Sequence, residues 1–255
     1  TVDGSRHPRV RIPASPPYCI EHAPWTCPRL FLSDHVERDM ELRCSRCGQS
    51  FSFTNPVWRC NCGGLLACKY EPSFPRDQIA NRPPTMNRYD EALPVRLLPE
   101  LFLGESMTPC VPWYVDGVPV TLKLESLMPT GSFKDRGAYS MICACAARGI
   151  GRIVEDSSGN AGIAVAAHAA RAGIECDIFI PEDAPSAKRV IIEGHGARVH
   201  LVSGSRSDVE HAAMEAAETT YYASHARDPF FLAGTMTAAF ELAEQFEWKP
   251  SDAVF

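Results

Sequence analysis

The chain has 255 residues, 45% of them apolar and 22% charged, enough to bury a sizeable core in one large or two modest domains. Its net charge of −6 argues against nucleic acid as the main partner. No apolar run reaches the roughly 18 residues of a membrane span, since the longest, residues 162–174, is interrupted by His168 and Arg171.

Eleven cysteines, an odd number, with Cys143 and Cys145 inside an apolar segment, suit reduced thiols and a cytoplasmic setting. The start at Thr1 carries no signal-peptide zones and suggests a trimmed or partial chain. Six prolines among arginines over residues 1–40 oppose regular structure and predict an extended arm.

Residues 41–71 follow as a compact module. Cys44-x2-Cys47 and Cys60-x-Cys62 are separated by twelve residues, and a glycine follows each pair, the pattern of two tight knuckles offering thiolates to a tetrahedral zinc. The stretch SFSFTNPVW between them alternates as short hairpin strands do. The module looks like a zinc ribbon whose second pair is one residue short, which leaves open Cys68 as a substitute ligand, or a ribbon that keeps its shape without metal. Its charges, Arg43, Arg46, Arg59 and Lys69, are too few for a nucleic-acid face.

Residues 72–94 read as a proline-rich linker with a short helix over 87–93, and 119–125 as a strand. That strand runs into PTGSFKDRG, where a turn caps a helix over 135–148 and places Lys134 in its first turn. Unpaired N–H groups and the helix dipole there oppose an added positive charge, so the amine is disposed to lose its proton, and a neutral amine is what bonds to an aldehyde cofactor. Strands at 151–156, 175–180 and 197–202 then alternate with helices at 160–173, 185–196 and 205–220, which predicts a parallel sheet with helices on both faces. The loop SSGNAG lies where a strand of that sheet gives way to a helix, the place where such folds bind ligands. His168, His195, His211 and His225 have no partner visible in sequence.

PTGSFKDRGA closely resembles the Schiff-base lysine motif of the threonine synthases, among the fold-type II enzymes dependent on pyridoxal phosphate. Asp135 after the lysine favours that branch over the threonine dehydratases. Gly104, Glu105, Thr108 and Pro109 are similar to the family's Gly-Glu-x-x-Thr-Pro stretch. The segment DPFFLAGTMT is similar to its Asn-Pro-Phe-x-x-Glu-Gly-Thr-Lys-Thr, with Asp228 in place of asparagine, Met236 in place of lysine, and a helix beginning at Thr235.

The resemblance implies an α/β fold with parallel sheets and flanking helices, and pyridoxal phosphate bonded to Lys134. Phe133 and Asn160 would also contact that cofactor, Asn160 through its ring hydroxyl. Ser157, Ser158 and Gly159 would hold the substrate carboxylate, with Lys188, Arg189 and Thr235 as unranked candidates for a phosphate. Some threonine synthases carry a cysteine ribbon ahead of the catalytic part, which supports the ribbon fold more than the ion, with Cys44, Cys47, Cys60 and Cys62 as the ligands a structural zinc would take.

Residues 72–150 would form the first part of a large cofactor domain, 151–224 a small α/β domain, and 225–255 the return to the large one, ending before a glycine-rich phosphate loop. The implied reaction converts O-phosphohomoserine and water to threonine and phosphate, in a cytoplasmic homodimer with an amino-acid substrate and neither nucleic acid nor membrane as partner. A threonine dehydratase or a cysteate synthase would share Lys134 and Asn160 and differ in the substrate pocket, and a catalytically silent relative with a binding or regulatory role is the other alternative.

Overall fold

A computed structural model describes residues 40–249 and 253–254. The arm expected over residues 1–40 lies outside these apart from Met40. Three short antiparallel strands, β1 (Glu41–Cys44), β2 (Ser50–Ser52) and β3 (Leu66–Lys69), form a sheet in the order β2-β1-β3. Leu42 and Cys44 point inward while Glu41 and Arg43 face out, the two-residue period of a half-buried strand. Of the alternating stretch SFSFTNPVW, only its start joins β2, because the chain turns back at Asn55, whose N–H donates to Ser52 O.

After the four-residue helix α1 (Arg76–Ile79), the expected helix over 87–93 takes the tighter 3-10 form at Met86–Ala92. It stops at Leu93, which is extended at φ −104° and ψ 153° because Pro94 follows. Strands β4 (Cys110–Val115) and β5 (Val118–Lys123) make an antiparallel hairpin, of which only the second strand is foreseen in the sequence. Asp116 and Gly117 join them with φ of 50° and 80°, the conformation a two-residue hairpin turn demands.

The helix α2 (Lys134–Ala147) leads to the parallel sheet, built from β6 (Arg152–Glu155), β7 (Glu175–Pro181), β8 (Arg198–Val202) and β9 (Tyr221–Tyr222) in the order β8-β7-β6-β9. The crossovers are α3 (Asn160–Ala172), α4 (Ser186–Gly194) and α5 (Arg206–Ala216). Successive strand residues join different cores: Ile153, Ile178 and Tyr221 pack with α3 residues such as Ala164 and Val165, while Val154, Phe179 and Tyr222 pack with Ala213 of α5. Helices thus cover both faces of an α/β sheet. β9 is two residues long and has no alternation for sequence reading to detect.

The chain closes with α6 (Pro229–Thr235) and α7 (Thr237–Gln245). The helix expected from Thr235 therefore begins six residues earlier, where Asp228 accepts N–H bonds from Phe230 and Phe231 as its N-cap and Pro229 fills the first turn. Among the described residues no helix is long and apolar enough to cross a membrane.

Across β6, β7 and β8, Asp177 accepts bonds from Arg152, Arg198 and His200. Burial alone would raise its carboxyl, but bonds from Arg198, His200 and Arg152 outweigh it and hold the group well below the ordinary carboxylate range. A lowered value stabilises the fold above the ordinary aspartate value of about 3.9, and that stabilisation is lost as pH falls through the folded value. Thermal melts from pH 6 down to pH 2 are therefore expected to show Asp177→Asn less stable at pH 6, with the gap to wild type closing in acid.

Candidate active site

Lys134 opens α2 behind a turn that its neighbour ties shut. The Asp135 carboxylate is wholly buried and accepts from Thr130 N at 2.9 Å and Thr130 Oγ1 at 2.8 Å, folding the Pro-Thr-Gly-Ser turn back over the helix start. Burial raises the Asp135 carboxyl despite those bonds. Ser132 Oγ accepts from Lys134 N at 3.3 Å. The Lys134 amine lies 4.8 Å from the Phe133 ring centroid, and among the described residues it enters no ion pair or hydrogen bond.

The loop between β6 and α3 carries the other candidate residues. A Cβ on Gly162 would sit 2.0 Å from Ser157 O, so only glycine lets the first turn of α3 approach this closely. Gly159 N donates to Ser157 Oγ at 3.2 Å. Lys188 of α4 reaches over the same loop, its Nζ 4.0 Å from the Cβ position of Gly159. Ser157, Gly159 and Lys188 are thus together, with Ser158 in the same loop and Asn160 exposed as the first residue of α3. Arg189 instead pairs with Glu193 on its own helix, and the Thr235 hydroxyl donates to Leu232 O at 2.7 Å.

Three residues to which the sequence assigns no role meet beside this loop. Glu155 ends β6 fully buried, Asp156 follows it at 2% exposure, and His225 comes off the end of the neighbouring β9. His225 donates to Glu155 through Nδ1 at 2.5 Å and through its backbone N at 3.2 Å. Arg206, in the first turn of α5, bonds Asp156. The bond to Glu155 raises the His225 imidazole, against burial and the positive charge of Lys134; burial raises Glu155. Two acids at the end of a strand just before SSGN are the signal that the sequence carried. Their histidine stands 70 residues away, and no local pattern links it to them.

Behind the lysine lies a charged network. Arg136, fully buried, donates to Glu125 at 2.7 and 2.8 Å and to Glu241 at 2.6 and 2.8 Å. Lys123 Nζ reaches Glu241 at 2.7 Å, and Thr108 Oγ1 reaches Glu125 at 2.6 Å. Glu105, also fully buried, holds His168 Nε2 at 2.8 Å. The Gly-Glu-x-x-Thr-Pro stretch thus anchors buried groups, binding the β4–β5 hairpin to α2 and α7.

The cysteines of the ribbon converge as their spacing predicts. Sγ atoms of Cys44, Cys47, Cys60 and Cys62 all lie within 4.8 Å of one another, with Cys44 to Cys62 and Cys47 to Cys60 at 3.5 Å. Zinc–sulfur bonds of about 2.3 Å give tetrahedral edges of about 3.8 Å. The short second pair is accommodated by a turn in which Gly63, at φ 77°, donates to Cys60 O at 2.8 Å. Cys68 stands outside the group, its thiol pushed up to about 12 by burial and by Asp228.

Both groups of residues suit what they would hold. Four sulfur donors are a zinc set, and a lysine amine without an ion-pair or hydrogen-bond partner among the described residues is suited to bond an aldehyde. The family model described as pyridoxal-phosphate dependent enzyme matches residues 101–255. A threonine synthase from Methanocaldococcus jannaschii is 30% identical over 228 residues, 84% of this chain and 56% of the relative. One from Methanosarcina acetivorans is 27% identical over 224 residues, 84% of this chain and 55% of the relative. The chain spans about half the length of the curated relatives it matches.

Among solved structures, a pyridoxal 5'-phosphate-dependent aspartate racemase superposes with a TM-score of 0.52 at 32% identity, over 55% of this chain and 46% of the other. An O-ureido-L-serine synthase gives 0.52 at 30% identity, over 57% and 50%. With a family model spanning more than half of its residues, the chain belongs to the pyridoxal-phosphate-dependent enzymes of fold type II.

Proposed function

We propose that the chain carries the reactive lysine of a threonine-synthase-type lyase, one that takes O-phosphohomoserine and water to threonine and phosphate. The observation that carries this reading is the Lys134 amine, uncommitted among the described residues, at the first turn of α2 in a chain similar to threonine synthases. Lys134 would hold the cofactor covalently, with Phe133 against it and the Asn160 amide at its ring hydroxyl. Bound there, pyridoxal phosphate supplies an electron sink for charge developing at the substrate α carbon.

The residues of the chain supply binding and proton handling. Backbone N–H groups at 157–159 take the substrate carboxylate once Ser157 Oγ releases Gly159 N. Lys188, poised over that loop, offers its ammonium to the departing phosphate. A homodimer and a cytoplasmic setting belong to the same reading. A β-replacement reaction is the second reading, favoured by the likeness to the O-ureido-L-serine synthase.

The test is covalent. Pyridoxal phosphate is added, the mixture is reduced with borohydride, and peptides are mapped by mass spectrometry. Label on Lys134, absent from Lys134→Ala, is the expected result, and label confined to other lysines would overturn the assignment. Incubation with O-phosphohomoserine, or with O-phosphoserine and sulfite, then separates the lyase from the β-replacement enzyme by product.

For the ribbon we infer a structural zinc at Cys44, Cys47, Cys60 and Cys62. Elemental analysis is expected to find one zinc per chain, lost in Cys62→Ser and kept in Cys68→Ser. Zinc retained by Cys62→Ser would overturn this ligand set.

A further inference from the structure

The pair formed by His225 and Glu155 belongs to a larger group that the reaction as so far assigned does not use. Asp156 completes it: one ligand atom from each of Glu155, Asp156 and His225 lies within 4.8 Å of the other two. The sheet explains the meeting. β6 carries the two acids to its carboxyl end, and β9, paired to it in parallel with Val154 opposite Tyr222, delivers His225 to that same end.

Each carboxylate has one oxygen held from outside the group. Glu155 Oε2 accepts from the His225 backbone N at 3.2 Å, and Asp156 Oδ2 accepts from Arg206 of α5. The other two oxygens differ. Glu155 Oε1 accepts from His225 Nδ1 at 2.5 Å, whereas Asp156 Oδ1 is buried and has no hydrogen-bond partner among the described residues. The Tyr222 hydroxyl, on the α5 side of the sheet as Asp156 is, is a second buried atom without one. Leaving such atoms bare costs free energy that a ligand between them would recover.

We propose that Glu155, Asp156 and His225 form a binding site for a divalent cation of the Mn²⁺ kind, which clamps β6 to β9 at the root of the 157–160 loop. Two carboxylates and an imidazole are a donor set for such an ion. On binding, the Nδ1–H bond breaks, its proton leaves to water and the freed electron pair goes to the metal, whose two charges the carboxylates balance. Metal–ligand bonds of about 2.1 Å set neighbouring ligand atoms about 3–3.5 Å apart, so Nδ1 and Oε1 need to part by about 0.5–1 Å.

The surroundings have what such a site requires. Arg206 and the His225 backbone N–H are the outer partners that hold the carboxylates in place. The His225 side chain keeps 24% of its surface exposed, which gives the ion a way in. The ribbon does not compete, because four thiolates select zinc while this oxygen-rich set suits a harder ion. The site is independent of the reading of Lys134.

Mn²⁺ itself is the probe, added to the full chain without pyridoxal phosphate. Loss of the free-ion signal in electron paramagnetic resonance should count one Mn²⁺ per chain, and Asp156→Asn should weaken binding at least about tenfold. Asparagine keeps the shape of the side chain, and equal melting of the two proteins without metal checks the fold. Mn²⁺ should then raise the melting temperature of wild type and leave that of Asp156→Asn unmoved.

Should Asp156→Asn fail to fold, the wild type decides alone. Its spin-echo spectra should show an imidazole nitrogen coupled to the bound Mn²⁺, and His225→Gln should lose that coupling. No bound Mn²⁺, no nitrogen coupling in wild type, or undiminished affinity in Asp156→Asn would each overturn the site and leave an ion pair beside a spare carboxylate. Any of these outcomes leaves the Lys134 assignment to the borohydride label.

Discussion

Arg136→Met is expected to lower unfolding stability by about 3–5 kcal/mol, the cost of breaking a buried ion pair from one side. The guanidinium is fully buried and makes four short bonds to two carboxylates, and methionine of similar length restores none of them. Lys123 still reaches Glu241 and Thr108 still reaches Glu125, which places the loss toward the lower end of that range. Lys123→Met removes the less central cation and should cost less. Urea unfolding of the three proteins gives the comparison, and an Arg136→Met midpoint within error of wild type would show that the network adds nothing net. The substitution should also weaken cofactor capture at Lys134, since the network fixes the helix from which that lysine projects.

Gly162→Ala is the second large effect. Its methyl would be placed 2.0 Å from Ser157 O, well inside contact distance, and a carbonyl of the backbone cannot rotate out of the way as a side chain can. Either α3 backs off or the 157–160 loop moves, and overpacking of this kind costs about 1–3 kcal/mol. The loop is the less constrained of the two, so it is the part expected to move, carrying Gly159 N and the helix start with it. Label at Lys134 should still form, because the lysine lies on another helix, but retention of pyridoxal phosphate before reduction should fall at least about tenfold, as a misplacement near 1 Å can do. Gly194→Ala, where a Cβ would meet nothing within 4 Å, is the control.

What could be read from the sequence was what depends on neighbours along the chain. The alternation of strands and helices after residue 150 emerges from apolar periods and from stops such as Gly173, which caps α3 at φ 66°. The Lys134 turn, the SSGN loop and the cysteine spacing are local patterns, and each folds as its pattern suggests.

What was missed depends on residues far apart or on a signal that was passed over. Asp116-Gly117 between apolar stretches marks a hairpin, yet β4 went unforeseen. Arg136 looks like one more polar residue at a helix start until Glu241, 105 residues on, packs beside it. His225 needs β9 beside β6 before it can meet Glu155, and β9 is too short to betray its own register. Thr235 had a motif to recommend it, but the helix begins at Pro229 and spends that hydroxyl on its own backbone.

The aromatic contacts of the ribbon bear on how this protein can be dissected. Trp58 sets its edge against Tyr222 with centroids 4.9 Å apart, and Phe53 does the same to Phe230 at 5.8 Å. Tyr222 is the last residue of the strand that delivers His225, and Phe230 belongs to the helix whose next residue is Phe231. Excising residues 41–71 would therefore not leave a leaner catalytic fragment. It would strip the rear wall from both segments and let water in behind the crevice, so a ribbonless version should be judged by its folding before its silence is blamed on chemistry.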